Sequence, residues 1–255
     1  MPKEVDVRNV KIGSGVPKIA VSIMGKDDLE LCKEIKNLSS IKFDIVEWRV
    51  DFYEDVHNIE SVKKVLSNIR RLLANTPIIF TFRSKSEGGN KEISKEYYIE
   101  LVSEIVKTKE ADLVDVELFM GDESVKNIID LSHKNEVKVI VSNHDFSKTP
   151  SKEEIIQRLR KMICLGADLP KIAVMPKNMN DVLKLLSATN EINQEYRDKP
   201  IITMSMGKMG IISRVAGEFF GSALTFGAVN EVSAPGQIQA DDLGIILNLL
   251  HKSKN

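Results

Sequence analysis

Neither sign of charge prevails in this chain: 36 lysines and arginines stand against 37 aspartates and glutamates, a formal net charge of -1. That balance leaves no global positive field to attract nucleic acid or anionic lipid, so a small molecule is the default partner. No apolar run approaches the roughly 20 residues that span a bilayer, and Met1-Pro2-Lys3-Glu4-Val5-Asp6 contains no apolar signal core. The expectation is a soluble, cytoplasmic protein without a membrane partner. Cysteine is scarce as well. Cys32 and Cys164 are far apart and belong to no Cys-x-x-Cys pair, which predicts reduced, buried thiols rather than a disulfide. Also missing are a Gly-x-Gly-x-x-Gly loop after the first apolar run, where Ile23-Met24-Gly25-Lys26-Asp27 stands instead, and any His-x-His or His-Glu-x-x-His metal pattern.

What the chain does have is repetition. Short apolar runs recur at Ile19 to Met24, Ile45 to Val50, Ile78 to Phe82, Leu113 to Leu118, Val137 to Val141, Ile172 to Val174, Ile201 to Met204 and Leu224 to Val229. Between them apolar residues fall at helical spacing, as in Val62, Val65, Leu66, Ile69 and Leu73, or Ile155, Ile156, Leu159, Met162 and Ile163. Asn58, and Ser151 with Glu154, read as helix starts; Gly166 reads as a helix end. Eight strand-helix units in 255 residues predict an α/β fold, a (β/α)8 TIM barrel occupying 1–255 as one domain. Ahead of it, residues 1–17 carry Val5, Val7, Val10 and Ile12, which predict a short N-terminal β-hairpin closing the bottom of the barrel.

In such a barrel the ends of the strands converge on one mouth. There the sequence places Ser22, the series Glu47, Arg49 and Asp51, then Thr81 and Arg83, Asp115 and Glu117, His144 and Asp145, Lys171, and Thr203 to Gly207, with Arg214 in the following loop. Lys171, between Pro170 and Ile172-Ala173-Val174, is expected to be shielded from water. Desolvation and three nearby arginines would favour a neutral amine able to attack a carbonyl. His144, ending the preceding strand, is the histidine placed to move protons, whereas His57, His133 and His251 receive no role. The arginines also offer donors to a carboxylate or hydroxyls, so an anionic, oxygenated substrate is expected. Asp51 and Glu117 read mainly as partners that neutralise Arg49 and Arg83. Phe146, Met204, Met206 and Phe226 read as an apolar wall.

The run Asp115-Val116-Glu117-Leu118, followed by Val139-Ile140-Val141-Ser142-Asn143-His144-Asp145, resembles the signature of type I 3-dehydroquinate dehydratase. Glu47-Trp48-Arg49, Phe82-Arg83, Lys171-Ile172-Ala173, Met204-Ser205-Met206-Gly207, Ser213-Arg214 and Ser233-Ala234-Pro235-Gly236-Gln237 extend the likeness over essentially the whole chain. The resemblance implies dehydration of 3-dehydroquinate to 3-dehydroshikimate in the shikimate route, with neither metal nor cofactor. It implies a Schiff base on Lys171, proton transfer by His144, and Glu87 in Ser86-Glu87-Gly88-Gly89 holding the histidine. Arg214, Ser233 and Gln237 would take the substrate carboxylate; Glu47, Arg49 and Arg83 would bind ring hydroxyls beside Ser22; and Ala234 would join the wall.

Three other readings stay open on the residues alone. Met206-Gly207-Lys208-Met209-Gly210 suits phosphate, as in a Schiff-base aldolase acting on a sugar phosphate. Glu47, Glu117 and His144 suit a metal-dependent isomerase, and a barrel can also be retained as a non-catalytic binding protein. The segment Val232 to Gln237 is expected to be a mobile lid whose Ser233 and Gln237 find partners only with ligand present. A homodimer, as is common in the family, is permitted by an apolar face of Leu243, Ile246, Leu247 and Leu250, which could equally pack on the last strand.

Overall fold

Period-two alternation divides each apolar run into a face toward the helices and a face toward the barrel axis. The computed structural model describes residues 4–229 and 233–254. Strands β1 (Val5–Val7) and β2 (Val10–Ile12) pair antiparallel, with Val5 opposite Ile12 and Val7 opposite Val10. Then come β3 (Lys18–Ile23), β4 (Ile45–Arg49), β5 (Ile78–Thr81), β6 (Leu113–Glu117), β7 (Lys138–Asp145), β8 (Leu169–Val174), β9 (Ile202–Ser205) and β10 (Leu224–Gly227). These eight are parallel and neighbour one another in the order β10-β3-β4-β5-β6-β7-β8-β9. Helices α1 (Asp28–Asn37), α2 (Ile59–Leu73), α3 (Lys95–Thr108), α4 (Asp122–Lys134), α5 (Lys152–Leu165), α6 (Met179–Glu195), α7 (Ile211–Val215), α8 (Gly217–Phe220) and α9 (Ala240–Lys254) fall between and after the barrel strands. The architecture is the (β/α)8 barrel that the spacing predicts.

Two apolar layers result. Trp48, Phe80, Phe82 and Val116 point outward and meet the buried helix faces, including Val62, Leu66 and Ile69 of α2. Ile45, Ile79, Leu113, Ile140, Leu169, Ile202 and Leu224 point inward and fill the lower barrel, where Val5, Val7, Val10 and Ile12 of the hairpin plug it. Ile12 is fully buried, and a side chain of its size withdrawn from water contributes about 2 kcal/mol. The helix punctuation follows the sequence: Asn58 accepts from the Ser61 N–H, Ser151 from the Glu154 N–H, and Gly166 ends α5 with φ +104°. Glu154 turns its carboxylate to Arg158.

Three aspartates repeat one device at the bottom of the barrel. Each stands one residue before a strand and accepts the first free N–H of the strand before it: Asp44 from Ile19 at 2.7 Å, Asp112 from Ile78 at 2.8 Å, Asp168 from Val139 at 2.9 Å. Asp112 also receives Arg8 of the hairpin turn and Arg70 of α2, both at 2.5 Å, so one carboxylate ties plug, helix and sheet together. The ring closes differently between β9 and β10, where the contact is the single bridge Ile201 to Ser222. On that side of β9 the Ser222 hydroxyl accepts from the Thr203 N–H at 3.0 Å and the Ser213 hydroxyl from the Ser205 N–H at 2.8 Å. Side chains thus satisfy donors that an adjacent strand would otherwise pair.

One expectation is corrected. Cys32 is only half-buried and Cys164 is exposed, both free, because they lie off the inward faces of α1 and α5. Of the two readings left open for the α9 row, packing on the barrel holds for Leu243 and Leu247, which are core residues, while Ile246 and Leu250 are half-buried and Ile245 and Leu249 face outward. Among the described residues no helix is long and apolar enough to cross a membrane.

Asp112→Ala removes one acceptor from three donors and takes the carboxylate from two guanidiniums, of which Arg70 keeps backbone carbonyl partners. Denaturant unfolding is expected to show a loss of about 3 kcal/mol, with turnover of the folded fraction unchanged because Asp112 lies at the end of the barrel opposite the mouth.

Candidate active site

Above the apolar plug, the inward positions change from aliphatic to ionisable. On β4 the series is Ile45, Glu47, Arg49; on β6 it is Leu113, Asp115, Glu117; on β8 it is Leu169, Lys171, Ala173. Register places Lys171 beside Ser142 of β7 and Ile202 of β9, with His144 one pleat higher beside Ala173. The apolar run alone would end β7 at Val141. The strand continues to Asp145 because β8 pairs with it throughout, and this keeps His144 pointed inward.

Lys171 is 3% exposed. Its Nζ donates to Asp115 Oδ2 at 2.9 Å, lies 3.8 Å from Glu47 Oε1, and sits 4.6 Å from the centre of the Phe226 ring. The arginines expected to crowd the lysine are bound elsewhere. Arg49 is held on Asp51 by two bonds of 2.8 Å, and Arg83 reaches Asp115 at 2.8 Å, Glu117 at 2.9 Å and the Ser142 hydroxyl at 3.0 Å. The charge nearest Lys171 is therefore a carboxylate, which corrects the picture of like-charge repulsion as the main force on it. Burial alone would raise the Asp115 carboxyl, but Arg83 and Lys171 overcome it and hold the group well below the usual carboxylate range. Asp51, fully buried, also accepts from the Arg83 and Asn90 N–H groups.

Glu87 lies in a short 3-10 turn after β5, ended by Gly88 at φ +84°. A Cβ on Gly88 would fall 2.3 Å from the Phe146 ring, so the turn can lie under that ring only with glycine there. Glu87 Oε2 accepts from both the backbone N–H and Nδ1 of His144, each at 2.9 Å. A proton on Nδ1 leaves Nε2 as the basic nitrogen. Burial, together with Glu117, pushes the Glu87 carboxyl up to about 7 against the opposing pull of Arg83. Burial, then Arg83 and Lys171, push the His144 imidazole well below its ordinary value.

Arg214, in α7, is 1% exposed. Its Nη2 donates to the Pro235 carbonyl at 3.0 Å and its Nη1 lies 3.8 Å from the Met204 sulfur, but Nε has no partner and no carboxylate lies within ion-pair distance among the described residues. Burial pushes it down to about 10.

Residues 233–237 cover this end of the site. Ser233 Oγ lies 3.0 Å from Ser22 Oγ and accepts from Gln237 Nε2 at 2.8 Å, while the Ser233 N–H donates to Gln237 Oε1 at 2.9 Å. The Gly207 N–H reaches the Pro235 carbonyl at 3.0 Å. Ser233 and Gln237 thus bond one another within the chain, partners that the sequence reading did not foresee. The reason is local: a side-chain amide four residues along satisfies the serine backbone and hydroxyl together. Val232, the first residue of the expected lid, lies outside the described residues.

Lys171, His144, Glu87, Glu47, Arg49, Arg83, Arg214, Ser233 and Gln237 all line one pocket, walled by Phe146, Met204, Met206, Phe226 and Ala234. Ser22 stands behind this lining, donating to Glu47 Oε2 at 2.7 Å. Sequence reasoning passed over Asp115 as the partner of Lys171, although the alternation Leu113, Asp115, Glu117 puts it on the inward face. It also gave no role to Asn143, whose side chain reaches Glu87.

A model of the type I 3-dehydroquinase family matches residues 19–254. The chain belongs to that family. A 3-dehydroquinate dehydratase of Clostridioides difficile is 58% identical over 255 residues, covering 100% of both chains. A crystal structure of the type I 3-dehydroquinate dehydratase from Clostridium difficile with covalently modified comenic acid superposes with a TM-score of 0.96 at 58% identity, over 99% of this chain and 100% of that one. The 3-dehydroquinate dehydratase of Geobacillus kaustophilus superposes with a TM-score of 0.96 at 38% identity, over 100% of this chain and 98% of the other.

The electrostatics of this family member predict a neutral His144. Its folded pKa is depressed, so the folded state resists protonation as pH falls through the ordinary histidine range, and its contribution to stability is present above that range and lost below it. Nitrogen-15 shifts of the imidazole at pH 6 are expected to be those of a neutral ring with hydrogen on Nδ1; imidazolium shifts there would contradict the assignment.

Proposed function

We propose that this chain is a lyase that dehydrates 3-dehydroquinate to 3-dehydroshikimate in the shikimate pathway, through a Schiff base on Lys171 with His144 as general acid and base. The observation that carries the reading is the pairing, in one pocket, of a shielded lysine and a histidine whose Nδ1 faces Glu87 with a buried guanidinium, Arg214, that meets no carboxylate among the described residues. Such a pocket calls for a ketone that also bears a carboxylate. The relative solved with covalently modified comenic acid supports covalent chemistry on an organic acid.

Lys171, once deprotonated, adds through Nζ to the ketone carbon, and water leaves to give an iminium. Asp115, 2.9 Å from Nζ, then faces the iminium in place of the ammonium, so the positive charge stays matched through the step. With the imine as electron sink, the neighbouring carbon gives up its proton to His144 Nε2 without metal or organic cofactor. The enamine electrons expel the ring hydroxyl, which takes a proton from His144 and departs as water. A second water hydrolyses the imine and frees Lys171, for a net loss of one water. Glu87 holds Nδ1 throughout.

Arg214, with Ser233 and Gln237, takes the substrate carboxylate, while Glu47, Arg49 and Arg83 meet the ring hydroxyls and Ser22 orients Glu47. Ser233 and Gln237 bond each other, so the carboxylate engages them by exchange of partners. The protein works in the cytoplasm as a homodimer. With Leu243 and Leu247 committed to the core, the exposed apolar residues Met179 and Leu183, one turn apart on α6, are the better place for the contact.

Borohydride added with 3-dehydroquinate is expected to inactivate the protein and leave the ligand mass on the Lys171 peptide, whereas an adduct on Lys177 or Lys208, or none, overturns the assignment. His144→Ala is expected to lower turnover by roughly two to four powers of ten while still forming the adduct. In steady-state kinetics Arg214→Ala should raise KM on the order of 100-fold and leave the melting temperature nearly unchanged; unaltered KM with a large stability loss would make the residue structural.

A further inference from the structure

We infer that Asn143, oriented by Arg158 of α5, is a positioning residue for the reaction: it keeps the Glu87 carboxylate ionised and aimed at His144. The inference rests on the roles proposed above for His144 and Glu87 and adds two residues that line no part of the pocket.

Four side chains form one directional chain. Arg158 Nη1 donates to Asn143 Oδ1 at 2.6 Å, Asn143 Nδ2 donates to Glu87 Oε1 at 3.1 Å, and Glu87 Oε2 accepts from His144 Nδ1 at 2.9 Å. An asparagine amide has a donor end and an acceptor end, and either could face the carboxylate. A guanidinium has only donors, so Arg158 compels the oxygen of Asn143 to turn toward α5 and the NH2 toward Glu87. Arg158 is itself fixed, by Glu154 one helical turn earlier and by the Phe119 ring 5.4 Å from its guanidinium carbon.

The consequence is electrostatic. Glu87 faces Arg83 of the β5 end, Glu117 of β6, and His144 and Asn143 of β7. Arg83 is shared with Asp115, Glu117 and Ser142 at shorter distances than the 3.5 Å at which it meets Glu87. The Asn143 amide is then the neutral donor dedicated to the second oxygen of Glu87. Without it, the ionised carboxylate loses a hydrogen bond in a buried place, and protonation becomes easier. A protonated Glu87 donates in place of accepting, competes with the Nδ1 hydrogen, and frees the imidazole to take the tautomer that cannot accept the substrate proton.

Asn143→Leu, close in shape and without donors, is therefore expected to lower kcat on the order of tenfold with KM little changed. It should also move the acidic limb of the kcat profile upward by about one pH unit. Arg158→Met, outside the pocket, should shift the limb in the same direction by less. The double variant should equal Asn143→Leu alone, since Arg158 acts only through the amide. An unmoved limb in Asn143→Leu, or additive effects in the double variant, would overturn the inference. Asn143→Ala serves if the leucine variant does not fold, with the same limb shift required. Borohydride labelling of Lys171 in wild type and the loss of turnover in His144→Ala separate the outcomes: if both hold and the limb does not move, only the positioning role fails.

Discussion

The guanidinium of Arg83 is the hinge on which the arrangement of the mouth depends. From the end of β5 it reaches both inward carboxylates of β6, the serine of β7 and the acid of its own following turn. Through Asp115 it is coupled to Lys171 of β8. Carboxylates this deeply buried would be untenable without it, and burial by itself would also discharge the cation. The facing acids instead hold Arg83 well above its ordinary value. Removing either side of such a cluster leaves an unpaired buried charge, so it persists or fails as a whole.

That cluster divides labour among residues of similar chemistry. Carboxylates at one mouth serve different ends because their partners differ. Asp51 is saturated by Arg49 and two backbone donors; Asp115 stands between Arg83 and Lys171; Glu87 is the acid pushed up to about 7. The cations divide likewise. Arg49 and Arg83 are bound by acids, whereas Arg214 is buried without one. Among the described residues no carboxylate lies within ion-pair distance of Arg214, so the proposed substrate carboxylate would meet there a guanidinium whose desolvation the fold has already met.

Much of this was legible before any coordinates. The series Glu47, Arg49 and the place of His144 at the end of an apolar run put these residues at the barrel mouth, where the structure has them, and Gly166, Asn58 and Ser151 marked helix ends where the structure has them. Less legible was who bonds to whom. Asp115 and Arg83 are 32 residues apart, and Asn143 and Arg158 meet only because α5 folds back over β7. The self-bonded Ser233 and Gln237 were unreadable, and the choice between a dimer face and inward packing for Leu243 and Leu247 stayed open, for the same reason: local composition shows what a side chain could bond to, and packing selects among the partners in reach.

By itself the sequence determined the number and order of the strands, the inward and outward faces, the plug beneath the barrel and the set of ionisable residues at the mouth. These follow from backbone periodicity and the exclusion of apolar groups from water, which act on each segment separately. Tertiary structure decided the partners and direction of those residues: that Lys171 faces Asp115, that His144 turns Nδ1 to Glu87, and that Arg214 meets no carboxylate among the described residues. Such properties depend on which charges lie within a few ångströms in a medium without water, and only the closed ring of strands sets those distances.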